Sequence, residues 1–208
     1  SGVLTFKDQT TWKGYVFHDE KFRSIKFRKD AAVGEGSTIA EGRLLSMEYQ
    51  DAITSKTRKF CSWDVEEDAN TIQGPALYEV VLLTKKFIVL SRKYAVLPAH
   101  PRARDSGGHT GKIEYDQVEK IFLAPEDGQG RLLWLGPVYS SGQGEAKMSQ
   151  VNPFFDGNVL KKFTGSHWRQ IKSFVKKRRL TLKHKPELME TLLYFQKLEL
   201  DADSRSPY

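Results

Sequence analysis

The sequence predicts an α+β protein, with an antiparallel β body followed by a helical C-terminal extension. Three observations carry this. In the N-terminal half, aromatic and β-branched residues alternate with polar ones, the period of a half-buried strand. The longest apolar stretch, residues 76–97, is broken by Lys85-Lys86 and by Ser91-Arg92-Lys93 and is too long for one strand. Beyond Ser140-Ser141-Gly142-Gln143-Gly144 the apolar residues recur every three or four positions, as on a helix face.

Taken in order, Thr11 to Phe17 reads as a strand, and Phe22 to Phe27 as a second after the polar turn His18-Asp19-Glu20. Ile25 and Phe27 share one face of that strand, and Lys26 and Arg28 the other. Gly34-Glu35-Gly36 breaks the chain. Thr38 to Arg43 reads as a short strand. Leu44 to Thr54 reads as a helix, because Leu45, Tyr49, Ala52 and Ile53 fall at helical steps. Phe60 to Val65 is a strand, and Glu66 to Gly74 a polar loop. We divide residues 76–97 into two elements, the first helical and the second the strand Tyr94 to Leu97. Ala99 to Gly111 is a long loop, Ile113 to Ala124 returns to the sheet, and Leu132 to Leu135 is a short buried strand. Ser166 is placed as the N-cap of a helix carrying Trp168, Ile171, Phe174 and Val175. Pro186 opens a last helix with Leu188, Leu192, Phe195 and Leu198 as its apolar stripe. The expected organisation is a body over 9–140, a basic helical extension over 145–200 and a polar tail over 201–208.

Charge is unevenly placed. The 208 residues hold 33 Lys+Arg against 26 Asp+Glu, a net of +7. Ten of the cations lie between Lys161 and Lys185, with no Asp or Glu among them. The remainder is therefore mildly acidic. A segment of this kind suits phosphate groups, from nucleic acid or phosphorylated protein, and equally serves as a solvated helix face. The lone Cys61 excludes an internal disulfide and a multi-cysteine zinc site, and core packing is its default role. With no apolar run of 18 residues, we expect no membrane span. We expect no secretory signal either. The start at Ser1-Gly2, not Met, suggests a domain cut from a longer protein.

The motifs of catalysis are incomplete. Asp105-Ser106-Gly107-Gly108 has the form of a serine-protease nucleophile loop, but Arg104 stands where that loop has Gly. Neither His18 nor His100 lies in a base motif. Glu145-Ala146-Lys147 has a metal-nuclease spacing but sits in a Gly/Ser-rich stretch. Asp64, Glu66, Glu67 and Asp68 read as a solvated acidic loop, and no His pair has metal-ligand spacing. No phosphate loop or dinucleotide fingerprint is present. We expect no enzyme activity, no metal and no cofactor.

Four motifs in order resemble SPOC domains (Spen paralogue and orthologue C-terminal). Trp12-Lys13-Gly14-Tyr15-Val16 resembles their opening strand, and Thr38 to Leu44 their Gly-Arg segment. Ser91 to Val96 is similar to a later basic run. Val118 to Pro125 is similar to a terminal strand ending in Leu-x-Pro. The match spans roughly residues 9–137; the loop Ala99 to Gly111 is longer than the pattern, and about 70 residues follow it. The resemblance implies a distorted seven-stranded antiparallel β-barrel framed by helices. It also implies a non-catalytic docking module of a nuclear regulator of transcription, chromatin silencing or RNA processing, which recognises a phosphorylated or acidic segment. Arg43 matches the Gly-Arg position, and Arg92 and Lys93 the later basic run. Strand alternation adds Lys26 and Arg28. Guanidinium pairs with phosphate through two parallel bonds, so a cluster of this kind suits phosphate capture. Two further readings stand beside this one. In the first, Arg169, Lys172, Lys176, Lys177, Arg178 and Arg179 bind RNA or DNA through phosphates, while the helices pack back on the barrel. In the second, the chain is a structural subunit that buries its apolar stripes against a partner protein.

Overall fold

Among the described residues before Val138, strands with period-two alternation are more extensive than the sequence suggests. A computed structural model of the chain describes residues 1–20, 23–30, 36–68, 71–96, 116–138 and 151–204. The strands are β1 (Gly2–Phe6), β2 (Thr11–Asp19), β3 (Ser24–Arg28), β4 (Ser37–Ile39), β5 (Leu44–Gln50), β6 (Thr57–Asp68), β7 (Thr71–Leu83), β8 (Ile88–Val96), β9 (Asp116–Ala124), β10 (Gly130–Pro137) and β11 (Phe154–Phe155). They form one sheet in the order β11-β10-β9-β8-β7-β6-β5-β1-β2-β3-β4. Neighbours in that order are antiparallel. In addition β10 pairs parallel with β6, through Gly130↔Val65 and Arg131↔Glu66, which joins β6 to β10 in a circuit of pairings. Three helices follow, α1 (Gly157–Thr164), α2 (Trp168–Arg178) and α3 (Lys185–Ser204). The molecule is thus α+β, mostly antiparallel sheet with C-terminal helices.

Three apolar clusters hold these elements. Val65, Tyr78, Leu90, Phe122 and Ala124 form one cluster contributed by β6–β9. Leu4, Ile25, Phe27, Leu44, Met47 and Phe60 form a second cluster that joins β1, β3, β5 and β6. The third joins the sheet to the helices: Phe87, Val89, Ile121, Leu123, Leu133 and Trp134 meet Leu160, Ile171, Leu188, Leu192 and Phe195. Phe195 stacks on Phe87 with ring centres 5.2 Å apart. Polar contacts fix the same seam. Trp134 Nε1 donates to the Lys183 carbonyl at 2.8 Å, and Lys185 Nζ to Glu119 at 2.6 Å. The amide of Lys85 donates to Glu199 at 3.0 Å. The helices therefore cover a sheet face and are part of the body's core.

Several elements differ from the sequence reading, each for a physical reason. Residues 44–54 are the strand β5 and a turn, not a helix. Met47 and Tyr49 point inward while Glu48 and Gln50 point out, and β1 and β6 supply backbone partners on both sides. Asp51 closes the turn by accepting from the amides of Ile53 and Thr54, leaving Ile53 almost fully exposed. The first half of 76–97 is strand β7, turned into β8 by the Thr84 hydroxyl, which donates to the Phe87 carbonyl at 2.8 Å. Strands β6 and β7 also extend through most of the expected 66–74 loop. β4 stops at Ile39, and Glu41–Arg43 form a 3₁₀ turn. The body begins at β1, before residue 9, and α3 continues into the expected tail. Ser166 caps nothing. The side chain of Asp156 caps α1 instead, accepting from the amides of Asn158 and Val159. Among the described residues, no α-helix precedes Gly157. The loop Ala99 to Gly111 with Ser106, the boundary 140–144 and Glu145-Ala146-Lys147 lie outside the described residues.

One glycine has a clear steric role. A Cβ at Gly14 would sit 2.2 Å from the Arg28 carbonyl oxygen, so only glycine lets β2 fold this tightly against β3. We expect Phe195→Ala to cost about 3–5 kcal/mol, the usual loss for a buried aromatic. In urea, near- and far-ultraviolet circular dichroism should report one shared transition at a lower midpoint. Two separate transitions would mean that the helices unfold on their own.

Candidate functional site

The basic residues singled out from the sequence fall in three different places. Arg92 is only 7% exposed. Its guanidinium donates to Glu41 at 2.7 Å and lies against the rings of Tyr78 and Tyr94. Lys93 lies 3.3 Å from Glu20, which is also bound by Arg58 at 2.5 Å. Arg58 in turn grips Glu79 through two bonds, Nε to Oε1 at 2.7 Å and the terminal nitrogen to Oε2 at 2.6 Å. His18 completes the group, 3.9 Å from Glu41 and edge-on to Phe60. These charges balance, with Arg58, Arg92 and Lys93 against Glu20, Glu41 and Glu79. The set ties the β2–β4 hairpin region to β6, β7 and β8. Arg92 is thus buried in its pair with Glu41, while Lys93 is partly exposed and paired with Glu20.

Arg43, at the end of the 3₁₀ turn, is exposed. Its guanidinium sits over the Phe6 ring at 5.8 Å, and its carbonyl accepts from the Lys7 amide. Phe6 belongs to the cluster beneath β3, on the side where Ile25 and Phe27 point. Lys26 and Arg28 are exposed on the opposite side of β3, opposite Phe17 and Tyr15 of β2. Arg43 and the Lys26–Arg28 pair therefore lie on different faces, and the five residues do not make one pocket.

The basic helix gives a different picture. On α2, Trp168, Ile171, Lys172, Val175 and Lys176 recur at three- and four-residue steps and so share one stripe, to which the C-cap Arg179 is added at the groove's edge. Together with Leu180 and Leu182 they line a groove of about 740 Å³. Ile171 is its fully buried floor, and Lys172, Lys176 and Arg179 are exposed at its rim. Among the described residues, these three cations have no acidic partner at ion-pair distance. Arg178 differs, being bound to Glu190 at 2.9 Å. Arg169 and Lys177 are exposed on the same helix outside the groove lining.

Arg179 ends α2 in an unusual way. Its backbone is left-handed, φ 55°, and its amide donates back to the Val175 and Lys176 carbonyls. Glycine is the ordinary residue at such a helix end, because a Cβ costs about 1–2 kcal/mol there. This conformation brings Leu180 and Leu182 back beside the helix and so forms the second groove wall.

Burial pushes the Cys61 thiol up to about 11, consistent with a packed, unreactive side chain against the Val65, Tyr78 and Leu90 cluster. Sequence reasoning missed the groove walls Leu180 and Leu182, and the partners Glu20, Arg58 and Glu79. It also missed Tyr15 and Phe17, both exposed, although the alternation of β2 announces their face. No protein-family model matches the chain, and no curated protein and no solved structure matches it.

Glu20 gives a pH test of the internal charges. Burial alone would raise its carboxyl pKa, but the Arg58 hydrogen bond and the Lys93 and Arg58 charges override this and hold it below 4.5. A carboxylate depressed on folding stabilises the protein above its unfolded value and loses that effect as the pH falls through its folded value. We therefore expect Glu20→Gln to lower the urea midpoint at pH 7. The gap from wild type should shrink steadily below pH 4.5.

Proposed function

We propose that the chain is a non-catalytic docking domain that captures an acidic segment of another protein in the α2 groove. One observation carries this reading: an apolar lining of Trp168, Ile171 and Leu182 rimmed by Lys172, Lys176 and Arg179. Phosphate-backbone binding needs exposed cations but no apolar trough. A peptide with one or two apolar anchors between carboxylates or phosphoserines uses both parts. The volume is that of a small-ligand or side-chain pocket, enough for an aromatic or aliphatic anchor. The left-handed Arg179 also supports the reading. A strained cation where glycine would be more stable suggests a position retained for its side chain.

The circuit β6–β10 supports reading the body as a distorted barrel of the kind the resemblance implies. Placement in a nuclear regulator rests on the motif resemblance alone. The ligand site proposed here is not the one that resemblance implies, because Arg92 and Lys93 are already bound within the fold.

Isothermal titration with acidic peptides carrying Leu or Phe tests the groove. Lys172→Glu with Lys176→Glu should weaken binding at least tenfold. The same reversal at Lys161 and Lys162, outside the groove lining, should change it less than twofold. Equal loss in both variants would reduce the effect to general charge. Arg179→Gly should stabilise the fold by about 1 kcal/mol while weakening the peptide. A stability gain without any loss of binding would remove Arg179 from the site.

A further inference from the structure

The outward face of the β2–β3 hairpin carries a second pattern, independent of the groove. Tyr15 and Phe17 are 48% and 64% exposed, unusual for large aromatic side chains two residues apart on a strand. The register places Arg28 directly opposite Tyr15, and Lys26 directly opposite Phe17. Lys13 continues the same alternation along β2 and is also exposed. Thr38 of β4 extends the row beyond Lys26. Among the outward positions of β2 and β3, Asp19 is the single carboxylate, and it lies at the turn end, opposite Ser24. On the other side, Val3 separates Lys13 from Glu48, which is already bound by Lys59 at 3.2 Å. The face therefore alternates rings and cations in one plane.

We infer that this face binds single-stranded nucleic acid, with bases stacked on Tyr15 and Phe17 and phosphates held by Lys13, Lys26 and Arg28. Rings two positions apart on a strand are about 6.7 Å apart, so each can take its own base. The cations lie beside the rings, where the sugar-phosphate chain of a stacked strand runs. An aliphatic protein partner would leave the cations without partners, and a duplex would leave the rings without bases. Base stacking tolerates sequence, so the expected preference is for single strands over duplex and not for a particular sequence.

Fluorescence anisotropy with labelled ten-nucleotide RNA and DNA tests this, with a duplex of equal length and polyglutamate as controls. Single strands should bind more tightly than either control. Tyr15→Ala with Phe17→Ala should lower single-strand affinity at least tenfold and erase the preference over duplex. Both side chains are exposed, so the fold should survive, as circular dichroism would verify. Phe17→Trp should retain binding because it retains a stacking ring. Lys26→Glu with Arg28→Glu should flatten the dependence of log affinity on log salt by about 1.4, the contribution of two phosphate contacts in single strands. Four outcomes would overturn the proposal: no single-strand binding at low salt, equal binding of polyglutamate, unchanged affinity in the aromatic double variant, or loss only when Lys172 and Lys176 are reversed. The last would locate nucleic acid on α2 and would leave the sheet face without a ligand.

Discussion

The bidentate grip of Arg58 on Glu79, shared with Glu20, is the contact on which the arrangement of the two halves depends. Among the described residues, the β2–β4 strands reach the rest of the sheet in hydrogen-bonded order through β1 alone. A sheet end attached on one side would otherwise be free to peel. Arg58 reaches across from β6 to Glu20 beyond the end of β2, and Arg92 reaches from β8 to Glu41 beyond β4. These bonds lie beside the Tyr49 and Phe60 rings, which stack 5.7 Å apart under the Arg58 guanidinium. Partial burial makes the pairing demanding, because removing one partner leaves a largely buried charge without compensation. It also fixes geometry: a planar guanidinium with two bonded carboxylates admits few alternative placements of the hairpin.

That internal pairing governs where charge remains available. Several carboxylates of the mildly acidic body are already paired, Glu20, Glu41 and Glu79 with the body's own cations and Glu119 with Lys185 at the start of α3. The helical segment brings no acids of its own between Asp156 and Glu187. Its rim cations consequently face solvent. The apolar residues of α2 that sit between them are only partly used by the sheet: Ile171 is consumed by the core, while Trp168 and Val175 stay half-buried. A groove that is both apolar and cationic is the direct result of a helix whose stripe is wider than the surface it covers.

How far the sequence reveals this fold differs by element. Pairs of residues in short strands were legible, because Ile25 and Phe27 against Lys26 and Arg28 can be read from alternation alone. Leu44 to Thr54 was not. Its apolar spacing suits a helix, and the decision for strand comes from β1 and β6, which are distant in the chain and invisible to a local window. The C-terminal stripe was legible, and Leu188, Leu192 and Phe195 do meet the sheet. The roles of the cations were not legible, since nothing local distinguishes Lys93 beside Glu20 from Lys26 in solvent. Tertiary proximity alone makes one a strut and the other a surface group.

Among the described residues two faces stand out after the internal pairs are assigned, and they lie on different elements. The groove depends on the reversal at Arg179, which carries Leu180 and Leu182 back past α2. The hairpin face depends on Gly14, whose missing side chain lets β2 and β3 approach closely enough to hold Tyr15 opposite Arg28. Neither device contributes to the other, and both depart from what stability alone would select: a left-handed arginine in one, exposed aromatics in the other. A chain that tolerates two such departures can use them independently, so a ligand on α2 need not displace one on the sheet. The Arg58 pairing is what gives that independence physical meaning, because it holds the hairpin to β6 and β7 while α2 rests on β8–β10 through a different cluster.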